Sequence, residues 1–294
     1  MAKPRPTIKL FDMATPYTLP PFAGMTRAYS EAGQGVPLPG GARTPQYFGG
    51  WPPGNNKPII KLVEQGARMY GSAIVAYDIE APFLHDHRVS KEKFEEAIRL
   101  KIEVVASARE ANPNAQFGMY ATIPHDPILL SHYAESKRVR DLKLSGQSIA
   151  GLEWWDAKFD EFESQYRRWL DVCGRCGALA KASDFVTYVG YLEGESDDAS
   201  NDIRHDAAYL TLGIEQAKRF GRPVYVYASP YRYEHTAAGE KRHAIGERRF
   251  KAQMKLLRSL NVNVFIWFYT NGQALNAYET ACMKSAVEMF GRVK

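Results

Sequence analysis

The residues best placed to do chemistry stand at the end of one apolar run, Ser72 to Glu80, which closes on Asp78-Ile79-Glu80. The run has the length and character of a buried strand. Alternate residues of a strand share a face, so Ala76, Asp78 and Glu80 point one way and Val75, Tyr77 and Ile79 the other. The apolar set must pack under helices, which sends the two acids to the opposite side. Carboxylates about 6–7 Å apart at Cβ repel each other, and partial desolvation adds to this, so one pKa is expected to rise. A carboxyl that keeps its proton near neutral pH is a general acid, while its neighbour stays ionised. The competing reading is that both acids are neutralised by Lys or Arg from adjoining strands or loops.

Aromatic residues are the second signal. The chain holds 17 Tyr, 14 Phe and 5 Trp, and a polar-tipped ring suits a surface or cleft better than a dry core. At the ends of other apolar runs the rings fall on matching phases. Tyr120 shares its face with Gly118, Tyr191 with Thr187, Tyr227 with Tyr225, and Trp267 with Tyr269. Sugar rings offer C–H faces to aromatic planes, and their hydroxyls need Tyr or acidic partners. A wall of Tyr120, Tyr191, Tyr227, Trp267 and Tyr269 around two acids has the makings of a glycan cleft. The plainer alternative is that these rings are core.

The elements that must position these residues follow a rhythm. Helical spacing is expected over 57–70, 90–111, 155–180, 202–220, 245–260 and 274–290, with Ser90 capping the second of these. Strands are expected over 8–13, 72–80, 116–122, 185–192, 223–228 and 262–269. Apolar strands alternating with helices mean parallel βαβ units with both sheet faces covered. No Gly-x-Gly-x-x-Gly turn follows any strand, which weakens a dinucleotide-binding fold, and polar and aromatic residues recur at strand C-terminal ends, where a barrel keeps its site. The expected fold is therefore α/β, a (β/α) TIM-type barrel of seven or eight mostly parallel strands. It is expected to form one domain over residues 1–294, with an irregular Pro/Gly-rich stretch at 14–56.

Composition bounds the class. The chain has 294 residues, 45% hydrophobic and 24% charged, as in a globular protein, and no apolar run approaches the roughly 18 residues of a membrane span. Its net charge of +5 is too weak and dispersed to argue for nucleic acid. Three cysteines are too few for a disulfide scaffold. The N-terminal MAKPRPTIKL lacks the apolar segment of a secretory signal, so the expectation is a cytoplasmic protein or a processed secreted form.

Taken in order, several motifs resemble the hyaluronidase family and, more distantly, the chitinase-like glycosidases. Tyr-Asp-Ile-Glu at 77–80 resembles the strand ending in Asp-x-Glu, and Phe-Gly-Met-Tyr at 117–120 is similar to the Gly-(aromatic)-Tyr strand. Thr-Tyr-Val-Gly-Tyr-Leu at 187–192, Val-Tyr-Val-Tyr at 224–227 and Phe-Ile-Trp at 265–267 resemble the later strands of that family. Ile79 stands where hyaluronidases have Trp, and the positions of two further chitinase acids are Ala73 and Ala76. The resemblance implies that Glu80 is the proton donor and that Asp78 orients the substrate's own 2-acetamido group for attack on the anomeric carbon. It also implies that Tyr120, Tyr191 and Trp267 line that sugar's subsite.

The resulting expectation is a glycoside hydrolase acting on an N-acetylhexosamine-containing oligosaccharide or polysaccharide, with no cofactor, no metal, no nucleic acid and no membrane partner. Two alternatives stand beside it: a non-catalytic glycan-binding barrel, and a metal-dependent hydrolase using Asp78, Glu80, His85 and His87. Cys173 and Cys176 form a lone C-x-x-C, best read as free thiols. Trp154 and Trp155 suit either an outer sugar platform or a helix staple. The loop from Tyr231 to Glu247 carries Arg232, Lys241, Arg242 and His243. It suits either a solvated basic loop or a cover favouring an acidic glycan.

Overall fold

The computed structural model of the protein describes residues 9–13, 21–32, 35–47, 57–79, 90–192, 200–236, 239–268 and 274–290. In chain order the elements begin with β1 (Leu10–Asp12), β2 (Thr26–Glu31), α1 (Ile60–Met69), β3 (Ile74–Tyr77), α2 (Lys91–Ala111) and β4 (Gln116–Met119). Four helices follow: α3 (Pro127–Leu144), α4 (Glu153–Ala157), α5 (Phe159–Arg175) and α6 (Gly177–Ala182). Then come β5 (Val186–Val189), α7 (Ser200–Lys218), β6 (Val224–Ala228), β7 (Tyr231–Thr236) and β8 (Gly239–Ala244). The chain ends on α8 (Glu247–Ser259), β9 (Asn263–Ile266) and α9 (Ala277–Phe290).

Seven strands form one sheet in the order β4-β3-β2-β1-β9-β6-β5, and every neighbouring pair is parallel. The two end strands then meet. Asp184 N donates to Phe117 O at 2.9 Å, and Phe117 N donates to the Asp184 carboxylate at 2.9 Å. Thr187 Oγ1 donates to Met119 O at 2.5 Å. These bonds across the seam make the sheet a nearly closed barrel, within the expected range of seven or eight strands.

Alternation along the strands sorts side chains as barrel geometry requires. Phe11, Ala28, Ala76, Phe185, Tyr225, Tyr227 and Phe265 meet in the interior. Val75, Tyr77, Phe117 and Met119 pack outward with Val63, Phe94 and Val104 of the helices. Val186, Tyr188, Val226, Val264 and Ile266 pack outward on the opposite side of the barrel. Two glycines allow close packing, Gly118 on the interior face and Gly190 on the helix-facing side. A Cβ on Gly118 would stand 2.5 Å from the Phe185 ring, and one on Gly190 would stand 2.7 Å from Val226 Cγ1. Among the described residues no helix is long and apolar enough to cross a membrane.

The structure departs from the sequence expectations at several places. The stretch 14–56 is not irregular throughout, because Thr26–Glu31 is β2, a full barrel strand between β1 and β3. Residues 127–144, to which the sequence analysis assigns no element, form α3, with the Asp126 side chain accepting Leu129 N and Pro127 in the first turn. The single helix expected over 155–180 is three helices, divided at Lys158 and Cys176, where ψ is −2° and −4°. The basic loop after Tyr231 is an antiparallel hairpin, β7–β8. Ser90 does cap α2, accepting Lys93 N at 3.3 Å.

Candidate active site

Asp78 follows β3 directly, and its N–H donates to Glu31 O at 2.8 Å, carrying the ladder one residue past the strand. Ala76 lies in the interior cluster, while Val75, Tyr77 and Ile79 belong to the helix-facing cluster. The alternation therefore assigns half-buried Asp78 to the interior face at the C-terminal mouth. Glu80 and Tyr269, and the histidines His85 and His87, lie outside the described residues.

Four of the five expected rings converge. Tyr120, Tyr191 and Trp267 are half-buried and pack against the interior cluster that contains Tyr227. Tyr120 meets Tyr227 edge to face at 4.9 Å between centroids. Tyr191 stacks on Trp267 at 5.6 Å and 28°, and meets Tyr227 at 6.4 Å and 83°. Tyr227 is 1% exposed and forms a floor, with the other three rings above it. Each of the four sits at or just beyond the C-terminal end of its strand, on β4, β5, β6 and β9 respectively. Offset and edge-on arrangements are the ones that ring pairs favour.

The backbone carrying these rings is fixed from behind. Tyr209 OH on α7 donates to Tyr191 O at 2.5 Å, and Gln253 Nε2 on α8 donates to Gly190 O at 2.5 Å. After Tyr120, Ala121 takes φ +48°, a left-handed conformation uncommon outside glycine. That turn ends β4 at Met119, short of the expected Thr122, and lets Thr122 Oγ1 donate to Met119 O at 2.8 Å.

Behind β3 stands a group that the sequence reading missed. Glu31 is 2% exposed at the end of β2, on the helix-facing phase with Tyr29. Its carboxylate accepts from Tyr70 OH at 2.5 Å and from Thr44 Oγ1 at 2.8 Å, and its carbonyl accepts from Tyr47 OH at 3.2 Å. Burial first, and then the Glu31 charge, push the Tyr47 phenol well above its ordinary range; Asp78 adds to the same effect. Tyr77 and Tyr70 are raised by the same leading causes, burial and then Glu31. On the interior phase, alternation with Ala28 adds Ser30 to the mouth, and Met13 joins the interior cluster from β1. A signal for β2 does exist in Ala28 and Ser30, two small residues alternating with Tyr29 and Glu31, but the surrounding Pro and Gly mask it.

The other expected features fall elsewhere. Cys173, Cys176 and Cys282 are free and buried. Burial pushes the Cys176 thiol up to about 12 against the opposing charge of Lys101, and the Cys282 thiol to about 11, so both stay protonated and inert. Among the described residues no group of three or more His, Cys, Asp and Glu could hold a metal ion. Trp155 packs against His132 at 5.4 Å and Phe162 at 6.3 Å, joining α4 and α5 to α3, while Trp154 stays 54% exposed. The β7–β8 hairpin is held at its base, where Tyr231 OH donates to Glu279 Oε1 at 2.9 Å and Tyr278 OH donates to Pro230 O at 2.7 Å.

No protein-family model and no curated protein sequence matches the chain. Among solved structures it is similar to bee venom hyaluronidase in a monoclinic crystal, at 12% identity and a TM-score of 0.42, over 77% of this chain and 72% of that one. It is similar as well to bee venom hyaluronidase in complex with a hyaluronic acid tetramer, at 12% identity and a TM-score of 0.45, over 95% of this chain and 84% of that one.

Proposed function

We propose that the protein is a glycoside hydrolase acting on an N-acetylhexosamine-containing glycan by substrate-assisted, retaining acid catalysis. The observation that carries this reading is the convergence of Tyr120, Tyr191, Tyr227 and Trp267 at the barrel mouth, on the interior face to which alternation assigns Asp78. The stacked Tyr191–Trp267 pair offers a flat apolar wall for a sugar's C–H face, and the phenols offer hydrogen bonds to its hydroxyls.

In the proposed mechanism Glu80 gives its proton to the leaving oxygen as the glycosidic C–O bond breaks. The substrate's acetamido oxygen bonds to the anomeric carbon in the same step, giving a cyclic oxazolinium ion. Asp78 stays ionised and orients the amide N–H, stabilising the positive charge that develops. Water then opens the ring at the anomeric carbon, losing its proton to Glu80, and configuration is retained. The mouth needs no second carboxylate across the sugar, because the substrate supplies the nucleophile.

The test is release of reducing ends from N-acetylhexosamine polymers by the wild type and by Glu80→Gln. The wild type should release them, while Glu80→Gln should bind glycan and release none. Near-normal turnover in Glu80→Gln would refute the assignment. Glycan binding without any reducing ends from the wild type would favour a binding barrel instead.

A further inference from the structure

Lys101 is a long cation in an apolar place. It lies on the buried stripe of α2 with Phe94, Ala97, Ile98, Val104, Val105 and Ala108, and is 3% exposed. A buried amine is costly unless its N–H groups are used. Here Nζ donates to Ile79 O at 2.6 Å. The position of that carbonyl gives the contact its meaning. The β3 ladder ends with Tyr120 N donating to Tyr77 O and Asp78 N donating to Glu31 O, both at 2.8 Å. Ile79 is the next residue, and its carbonyl belongs to the peptide that leads into Glu80.

We infer that Lys101 is the positioning residue for the acidic end of β3: by holding the Ile79 carbonyl from the helix layer, it fixes the backbone on either side of Asp78 and so the direction in which Asp78 meets the mouth. Lys101 acts through the peptide and touches no substrate. A charge-assisted bond to a carbonyl is shorter and stronger than a neutral one, and here it reaches the strand end just where the ladder bonds stop. A methionine would fill the same apolar volume, so packing alone does not call for an amine at this position.

The catalytic consequence rests on the function proposed above, while the structural one does not, and two readouts separate them. Amide hydrogen exchange over residues 74–80 should accelerate about tenfold in Lys101→Met, while exchange in α9 stays at the wild-type rate. On a glycan that the wild type hydrolyses, Lys101→Met should lower kcat about 100-fold with KM within about twofold. Lys101→Gln keeps an N–H donor and should recover most of both losses. Wild-type exchange at the strand end in Lys101→Met overturns the inference, and so does a loss that appears in KM alone. If Lys101→Met also accelerates α9, Lys101→Gln takes its place, and exchange there unlike the wild type at residues 74–80 counts against the hydrogen bond. If the wild type releases no reducing ends, the glycosidase reading falls, and the exchange arm alone decides the role of Lys101.

Discussion

The ends of β3 and β5 are both gripped from the helix layer, but by different chemistry. Around β3 the groups are ionisable: the Glu31 carboxylate is tied to Tyr70 and Thr44, and the Lys101 amine is bound to Ile79 O. The groups that bond to the backbone after β5 are neutral: the Tyr209 hydroxyl is on Tyr191 O and the Gln253 amide is on Gly190 O, while the buried charges on the same two helices, Asp206 and Arg249, are paired with each other. Buried charges act strongly on nearby titrating groups because little water screens them. Neutral donors fix direction and add little field. The ionisable supports stand behind the strand that carries Asp78 and the neutral ones behind the strand that leads to Tyr191, which suits the proposed function, where one side of the mouth manages protons and the other presents flat apolar faces.

That contrast can be broken by substitution. The largest effect belongs to the acidic side: Asp78→Asn should lower turnover about 1000-fold with little change in KM, measured by reducing-end release. Retained activity would point away from acetamido participation. Next is Glu31→Ala, which leaves the Tyr70 and Thr44 hydroxyls without their carboxylate and should cost about 3 kcal/mol of stability by urea titration. On the aromatic side, Trp267→Ala removes the partner of Tyr191 and should weaken glycan binding about tenfold by calorimetry. The smallest effect is expected from Tyr209→Phe, about 1 kcal/mol of stability with a threefold loss of glycan affinity. If Tyr209→Phe proved as costly as Glu31→Ala, the distinction between ionisable and neutral supports would fail.

Much of the barrel was legible in the sequence because its strands are apolar and its alternation strict. Gly118 with Tyr120, and Tyr225 with Tyr227, could be assigned to one face from phase alone, and the interior cluster contains Tyr120, Tyr225 and Tyr227. β2 was not legible. Its sequence TRAYSE buries small residues inward and an acid outward, against the usual apolar pattern, since Glu31 finds hydrogen bonds rather than water. α3 left a signal in Asp126-Pro127, a cap followed by a first-turn proline, but its apolar stripe is weak because Ser131, Glu135 and Ser136 are among its buried residues. Lys101 was invisible for a related reason: nothing in a helical sequence tells which lysine will turn inward to a carbonyl on another element.

The most direct test of the account is calorimetric binding of an N-acetylhexosamine thiazoline, a stable mimic of the cyclic intermediate, to the wild type and to Asp78→Asn. The wild type should bind the thiazoline far more tightly than the parent N-acetylhexosamine, and Asp78→Asn should lose this preference while still binding the sugar. Equal affinity of the wild type for both ligands, or a preference that survives in Asp78→Asn, would contradict it.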